Sequence, residues 1–438
     1  MGLLGGSLML KAARGTSDVL PPETRKWAYL EELLRRVSSR YDYEEMRIPT
    51  FEHSELFSRT VGEATDIVEK EMYTFKDKTG RDLTLRPEAT AGIARAFVEH
   101  GMDGGPLPRK FYCIGSMFRY EKPQAGRFRE FRQYDVEVLG SASPFSDVEI
   151  ILLGIDIARE LGLTGTELLL NSIGCPDCRP KYKEDLVKYL SARQDRLCSD
   201  CRSRLNRNPL RVLDCREESC KVVVAGAPRM QGYLCSDCRA HWDELRDVLS
   251  SFGVSYRVDE TLVRGLDYYT RTVFELKWPP LGAQNTLLGG GRYDGLVEEI
   301  GGQPTPGVGF AMGLERMLIA AEKGDKPIQM GSSVKVFVAG GKSGLADLGR
   351  EVLSLVQELR ARGVACDFDP LQRSLKAQMK QADRLGAGLV AILGEDEVAK
   401  GVVTVRSMKE GWQKTVARSE ILGLCDEVKA EEVKAHGK

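Results

Sequence analysis

The stretch from Phe111 to Gly140, FYCIGSMFRYEKPQAGRFREFRQYDVEVLG, constrains the fold more than any other part of the chain. It predicts two strands joined by a basic loop, with Arg119 closing the first strand. On the second strand, side chains alternate between faces with a period of two. Phe131, Gln133, Asp135 and Glu137 therefore share one face, and Tyr134, Val136 and Val138 share the other. Buried amide and carboxylate groups need partners, so the polar face should border a cavity or a ligand rather than packed apolar side chains. An antiparallel hairpin wetted on one face is the simpler alternative.

At 438 residues the chain has room for two or three domains, each with a real core. No apolar run reaches the ~18 residues of a membrane span. The N-terminal MGLLGGSLMLKAARG lacks a basic region ahead of its short apolar stretch, so no secretory signal is read there. A cytoplasmic protein with no membrane association is expected. The charge is unevenly placed. Residues 175–240 hold 14 Lys/Arg against 9 Asp/Glu, a net of +5, within a chain whose total is −1. That imbalance suits a partner that is anionic at one place.

Eight of the 11 cysteines fall in the same segment: Cys175, Cys178, Cys198, Cys201, Cys215, Cys220, Cys235 and Cys238. Six form C-x-x-C pairs. In a reducing compartment this spacing favours tetrahedral thiolate zinc over disulfides. Eight ligands could hold two zinc ions, or one with spare thiols.

Elsewhere, a helix is expected over 23–41, a hairpin turning at Lys78-Thr79-Gly80, a helix opening near Thr90, and another from about Asp147 to Leu161. Pro49 breaks the segment that follows the first helix. Residues 262–278, rich in aromatic and β-branched types, predict a strand. Three glycines at 289–291 mark a place where backbone and ligand can nearly touch. Residues 307–320 predict a strand passing into a helix at about Leu314. From Val334 a β-α-β-α-β pattern predicts a small α/β domain with a largely parallel sheet. Arg119 and Arg316 could each grip phosphate oxygens bidentately.

Together these segments resemble a class II aminoacyl-tRNA synthetase, specifically the bacterial type of histidyl-tRNA synthetase. Residues 46–63 (MRIPTFEHSELFSRTVGE), 111–140 and 307–316 (GVGFAMGLER) are similar to the three class motifs. LVRGLDYYTRTVFE (262–275) and GGGRYDGLV (289–297) are similar to segments peculiar to the histidine enzyme. The resemblance implies an α+β architecture. An antiparallel-sheet catalytic domain (1–330) would be interrupted by a cysteine-rich basic insertion (175–254). A linker ending at 331–333, an α/β anticodon-binding domain (334–426) and a charged tail (427–438) would follow.

It also implies roles. Arg119, Glu121, Arg127, Phe131 and Arg316 would bind ATP, with Phe131 stacked on adenine. Arg264 would sit at the α-phosphate and, with Arg119, serve catalysis. Glu88, Thr90 and Gln133 would hold the α-ammonium of histidine. Glu137, Tyr269 and Tyr293 would meet its imidazole, with Tyr268 beside them. ATP with Mg²⁺, L-histidine and tRNA(His) would be the reactants, and a homodimer would form around Pro49. Structural zinc is not part of what the resemblance implies, because many relatives lack cysteines there. Two other readings stand beside this one: a non-catalytic regulatory paralogue in histidine biosynthesis, and a zinc-ribbon nucleic-acid-binding protein.

Overall fold

The computed structural model describes residues 10–62, 65, 67–122, 127–326, 328, 336–340 and 346–425. The expected linker end at 331–333 and the tail at 427–438 lie outside the described residues, as do 123–126 of the basic loop. The chain divides into two compact units, residues 1–328 and 329–438.

The first unit is built on an eight-stranded sheet. Its order is Glu44–Glu45, Arg109–Phe118, Glu130–Leu139, Gly307–Gly313, Thr286–Arg292, Thr270–Lys277, Glu167–Ser172, Tyr256–Val258. The six central strands pair antiparallel, and a short strand runs parallel at each edge. The alternation read from the sequence sets the two faces. Tyr134, Val136 and Val138 join Phe274, Phe310 and Met312 in one apolar core. That core is completed by helices Glu23–Arg40, Pro144–Glu160 and Leu314–Lys323, whose apolar positions recur every three or four residues.

The helix expected from Asp147 begins earlier, at Pro144, because the Ser143 side chain accepts from Phe145 N–H and caps it. The early hairpin forms as Tyr73–Lys76 and Asp82–Leu85, turned by Asp77, whose carboxylate accepts from the Thr79 and Arg81 N–H groups. Pro49 lies between two short strands, Glu44–Glu45 and Phe51–His53, and is part of neither.

One strand is shorter than expected. Only Thr270–Lys277 joins the ladder, and residues 262–269 form an irregular segment. The ladder is irregular at Arg271, whose φ is +48° and whose N–H and C=O pair with Gly174 and Ile173, and it ends at Thr270, opposite Arg292. Residues 263, 268 and 269 are buried without β pairing, so the apolar content of this run reflects packing in a loop.

The cysteine-rich segment is mostly helical, with helices Arg179–Ser191, Ser199–Arg204, Glu218–Ala225 and Ser236–Ser251. The second unit has a five-stranded sheet in the order Cys366–Phe368, Val336–Gly340, Leu389–Leu393, Val402–Ser407, Gln413–Ala417. The first three are parallel, as the β-α-β-α-β pattern predicts, but Val402–Ser407 and Gln413–Ala417 add an antiparallel hairpin. The sheet is thus half parallel rather than largely so. Among the described residues no helix is long and apolar enough to cross a membrane.

Candidate active site

The polar face of strand Glu130–Leu139 forms the floor of a cavity of about 340 Å³. Its neighbours in the sheet are small beside Gln133 and Asp135, the two polar residues of this face that reach the cavity. Gln133 lies between Gly115 and Gly313, Asp135 between Cys113 and Ala311, and Glu137 between Phe111 and Gly309. A Cβ on Gly309 would overlap the Glu137 carboxylate.

Segments far apart in sequence supply the walls. Arg119 and Phe131 come from the strand–loop–strand, Glu88 and Thr90 from the start of helix Thr90–Glu99, Arg264, Tyr268 and Tyr269 from the irregular segment, and Arg316 from helix Leu314–Lys323. Glu121 and Arg127, whose side chains pair at 3.1 Å, stand at the loop end. Glu137 and Tyr293 are not on the wall. They sit behind it, fully buried, where Glu137 Oε1 accepts from Thr90 Oγ1 at 2.6 Å and Oε2 accepts from the Tyr293 hydroxyl.

Each guanidinium is aimed by a specific partner. Arg119 donates from Nε to Pro87 C=O at 2.9 Å, and its guanidinium lies 5.2 Å from the Phe131 ring centroid. Arg316 donates from Nη1 to Thr286 C=O at 2.8 Å. Arg264 donates from Nη1 to Glu275 Oε1 at 2.7 Å. A Cβ on Gly289 would lie 2.5 Å from both Arg264 terminal nitrogens, so glycine there is what gives this arginine room. The triplet 289–291 is thus the interior of strand Thr286–Arg292 and not a turn.

Burial shapes the electrostatics. Glu137 is pushed up to about 8, mainly by burial, with the Thr90 and Tyr293 hydroxyls opposing the rise. Glu88 is also raised by burial, although the Ala91 and Thr90 N–H groups oppose it. Asp135 is lifted well above the ordinary carboxylate range by burial and by Glu137 and Glu88. Arginine side chains on the wall of the cavity and reluctant carboxylates on its floor and behind it suit a ligand with both phosphates and a cationic head.

Sequence reading passed over some of these groups. Glu275, which holds Arg264, is the last residue of LVRGLDYYTRTVFE, but its partner lies 11 positions away. For Asp135 the alternation gives a place on the polar face but no role. Arg216, from the cysteine-rich segment, reaches the cavity wall, and nothing in its local sequence signals that. Nor does local sequence reveal Arg292, which is fully buried and bonds Asp147 through Nε and Nη2 at 2.9 and 2.6 Å.

The eight cysteines separate into two groups of four, Cys175/Cys178/Cys235/Cys238 and Cys198/Cys201/Cys215/Cys220, with the sulfurs of each group all within 4.8 Å of one another. None is in a disulfide. The arrangement is nested: the first and last pairs meet, enclosing the middle four. Sulfurs bound to one tetrahedral zinc at ~2.3 Å stand about 3.8 Å apart. Observed separations are 3.6 Å for Cys175–Cys178, 4.0 Å for Cys175–Cys235 and 3.9 Å for Cys198–Cys215. Backbone N–H groups of Cys235 and Cys198 point at the Cys178 and Cys220 sulfurs at 3.2 Å. Both groups could bind a metal ion.

An antiparallel sheet carrying one arginine beside its strand–loop–strand and another on the helix after its glycine-rich strand defines a class II aminoacyl-tRNA synthetase. The family model for histidyl-tRNA synthetase matches residues 15–317, and that for an anticodon binding domain matches 334–427. The histidine–tRNA ligase of Halothermothrix orenii is 49% identical over 408 residues, 92% of this chain and 96% of that protein. That of Moorella thermoacetica is 48% identical over 424 residues, 96% and 99% of the two chains. The crystal structure of apo histidyl-tRNA synthetase from S. aureus matches with a TM-score of 0.81 at 37% identity, covering 95% of this chain and 99% of that one. The chain belongs to the histidyl-tRNA synthetase family. The synthetase match runs through the cysteine-rich segment and the second domain is present, so neither the regulatory nor the zinc-ribbon reading is favoured.

Proposed function

We propose that this chain attaches L-histidine to tRNA(His) in two steps within the described cavity. The observation that carries the reading is that Arg119, Arg264 and Arg316, from three separate segments, line one cavity whose floor is polar. The histidine carboxylate attacks the α-phosphate of ATP in line, forming histidyl-adenylate and releasing pyrophosphate. The terminal ribose of tRNA then takes the histidyl group and AMP leaves. No side chain acts as nucleophile; positioning and fixed charge lower the barrier. Arg264 neutralises charge developing on the α-phosphate, held in place beforehand by Glu275. Arg119 and Arg316 grip the phosphates, Phe131 offers its ring to adenine, and Glu121 and Arg127 close the loop side. Mg²⁺, which neutralises the leaving phosphates, would find hard oxygen donors at Glu121 and Glu275.

Histidine is selected by groups that pair with its imidazole. Once ionised, Glu137 has about four acceptor sites, of which Thr90 and Tyr293 take two, leaving capacity for an imidazole N–H. Tyr268 and Tyr269, with ring centroids 4.7 Å apart, form the adjoining wall. A different side chain in this place would leave buried partners unpaired, a penalty that discriminates by ~10⁴-fold or more.

Each cysteine group holds one structural zinc ion in this reading, supported by the four-sulfur sets and their spacing. The segment they organise is basic and would contact tRNA phosphates, so tRNA affinity should fall as salt rises. Two copies would assemble through the 46–63 region. Phe51 and the neighbouring Phe75 support this, being 51% and 44% exposed and packed edge-to-face at 6.2 Å. A cytoplasmic setting fits eight reduced cysteines. The test is histidine-dependent exchange of labelled pyrophosphate into ATP. No exchange by folded, metal-loaded protein would overturn the reading.

A further inference from the structure

Each four-sulfur group carries an arginine directly after one of its cysteines. Arg179 follows Cys178 in the outer group, Cys175/Cys178/Cys235/Cys238, and Arg216 follows Cys215 in the inner one. The Cys178 and Arg179 N–H groups both point at Cys175 C=O, at 3.1 and 3.2 Å, so the cysteine turn fixes where Arg179 starts. Arg179 donates from Nε to Ile173 C=O at 3.2 Å and from Nη2 to Tyr269 C=O. It thereby clasps the irregular segment 262–269 at its last residue. The Tyr269 ring lies 4.7 Å from that of Tyr268 and 5.9 Å from the Arg264 guanidinium.

Arg216 meets a different set of groups. Residues 215–217 belong to no helix or strand. Cys215 Sγ lies 3.9 Å from Cys198 Sγ, which ties this loop to the inner group. A second cavity, of about 450 Å³, is walled by these two cysteines and by Arg119, Glu121 and Arg127; Arg216 lines both it and the catalytic cavity. No hydrogen bond or ion pair joins Arg216 to another described residue. Arg316 is held below the usual guanidinium range, first by burial and then by the like charges of Arg127 and Arg216. A guanidinium without a counter-ion, beside two others, suits a polyanion.

We propose that the two cysteine groups serve different halves of the catalytic cavity: the outer group positions the histidine-binding segment through Arg179, and the inner group presents Arg216 to the β- and γ-phosphates of ATP. This rests on the readings that the cavity binds histidine and ATP and that the thiols hold metal. Arg179 is a positioning residue, since it bonds backbone carbonyls and acts through Tyr268 and Tyr269. Arg216 would touch substrate itself, and its planar fork matches phosphate oxygens bidentately. A loop without secondary structure needs another anchor to hold such a side chain ready, and the four-sulfur group is the anchor present.

The test measures equilibrium binding of L-histidine, ATP and AMP to full-length protein, together with its metal content. Arg216→Ala should weaken ATP by about 10- to 10²-fold, the scale of a hydrogen bond to a charged group, and leave AMP and histidine within about threefold. Arg216→Lys, which keeps the charge and loses the fork, should fall between. Arg179→Ala should weaken histidine by about tenfold or more, as a small misplacement of contact groups does, and leave ATP within about threefold. Cys198→Ser should reproduce the Arg216→Ala pattern and Cys175→Ser the Arg179→Ala pattern. Loss of ATP and AMP alike in Arg216→Ala overturns the inference, as does a defect confined to transfer onto tRNA. So does equal weakening of histidine and ATP by either arginine variant, or of neither. If the unaltered protein binds neither histidine nor ATP, the reading of the cavity fails instead. If it holds no metal while the arginine variants behave as stated, the zinc reading alone fails.

Discussion

Arg264 and Glu275 form an ion pair of 2.7 Å on the cavity wall, one from the irregular segment and the other from the strand that follows it. The pair aims a guanidinium without saturating it: Nε of Arg264 has no hydrogen-bond partner. Gly289, across the neighbouring strand, leaves the space it occupies. A cation fixed before substrate arrives needs no reorganisation during the reaction.

Arg264→Ala should therefore lower histidine-dependent pyrophosphate exchange by ~10²–10³-fold while ATP affinity stays close to that of the unaltered protein. Glu275→Gln should give a smaller loss, since it loosens the arginine without removing it. Gly289→Ala should behave like Arg264→Ala with the fold retained by circular dichroism. An Arg264→Ala protein with ordinary exchange would remove the mechanistic assignment.

The Asp147–Arg292 pair is wholly buried and supported by the C=O groups of Ser141 and Ser143, with His241 Nε2 also 3.3 Å from Asp147. Removing one charge of such a pair leaves the other uncompensated, at a cost of about 3–5 kcal/mol. Asp147→Ala should lower stability by that amount in urea unfolding of the first unit. A loss under about 1 kcal/mol would show the pair to be dispensable.

Stability should vary with pH through Glu137. Its folded-state pKa of about 8 lies above the ordinary 4.5. Between those values the folded chain keeps a proton that the unfolded chain has released. The contribution is thus fully present below about pH 4.5 and is lost as pH rises toward 8. Glu137→Gln should flatten the fall in Tm of ligand-free protein between pH 5 and 8 (conditions of about ordinary carboxylate and raised-carboxylate titration). Glu88 and Asp135, raised in the same direction, should supply the slope that remains. Identical slopes in the two proteins would show that Glu137 titrates elsewhere.

Metal analysis of purified protein should find about two zinc ions per chain, one for each four-sulfur group. Cys198→Ser and Cys175→Ser should each lower the count to about one. Removing the outer ion should destabilise the segment more, because Cys175 and Cys238 join its two ends. A count of zero in protein purified without chelator would mean that the thiol groups stand reduced and metal-free.

Local pattern determined a good deal of this molecule. Period-two alternation assigned the faces of strand Glu130–Leu139, helical periodicity located Glu23–Arg40, and five short segments carried the resemblance to the family. Such features are legible because side-chain direction follows from backbone repeat alone. What they left undecided depends on partners distant in the chain. Which cysteines come together in fours, why Gly289 is needed, that residues 262–269 stay out of the ladder, and that Asp135 has no hydrogen-bond partner whereas Glu88 has three were decided only by tertiary packing. Hydrogen bonding and burial are properties of neighbours in space, and the chain order of those neighbours is set by the whole sheet.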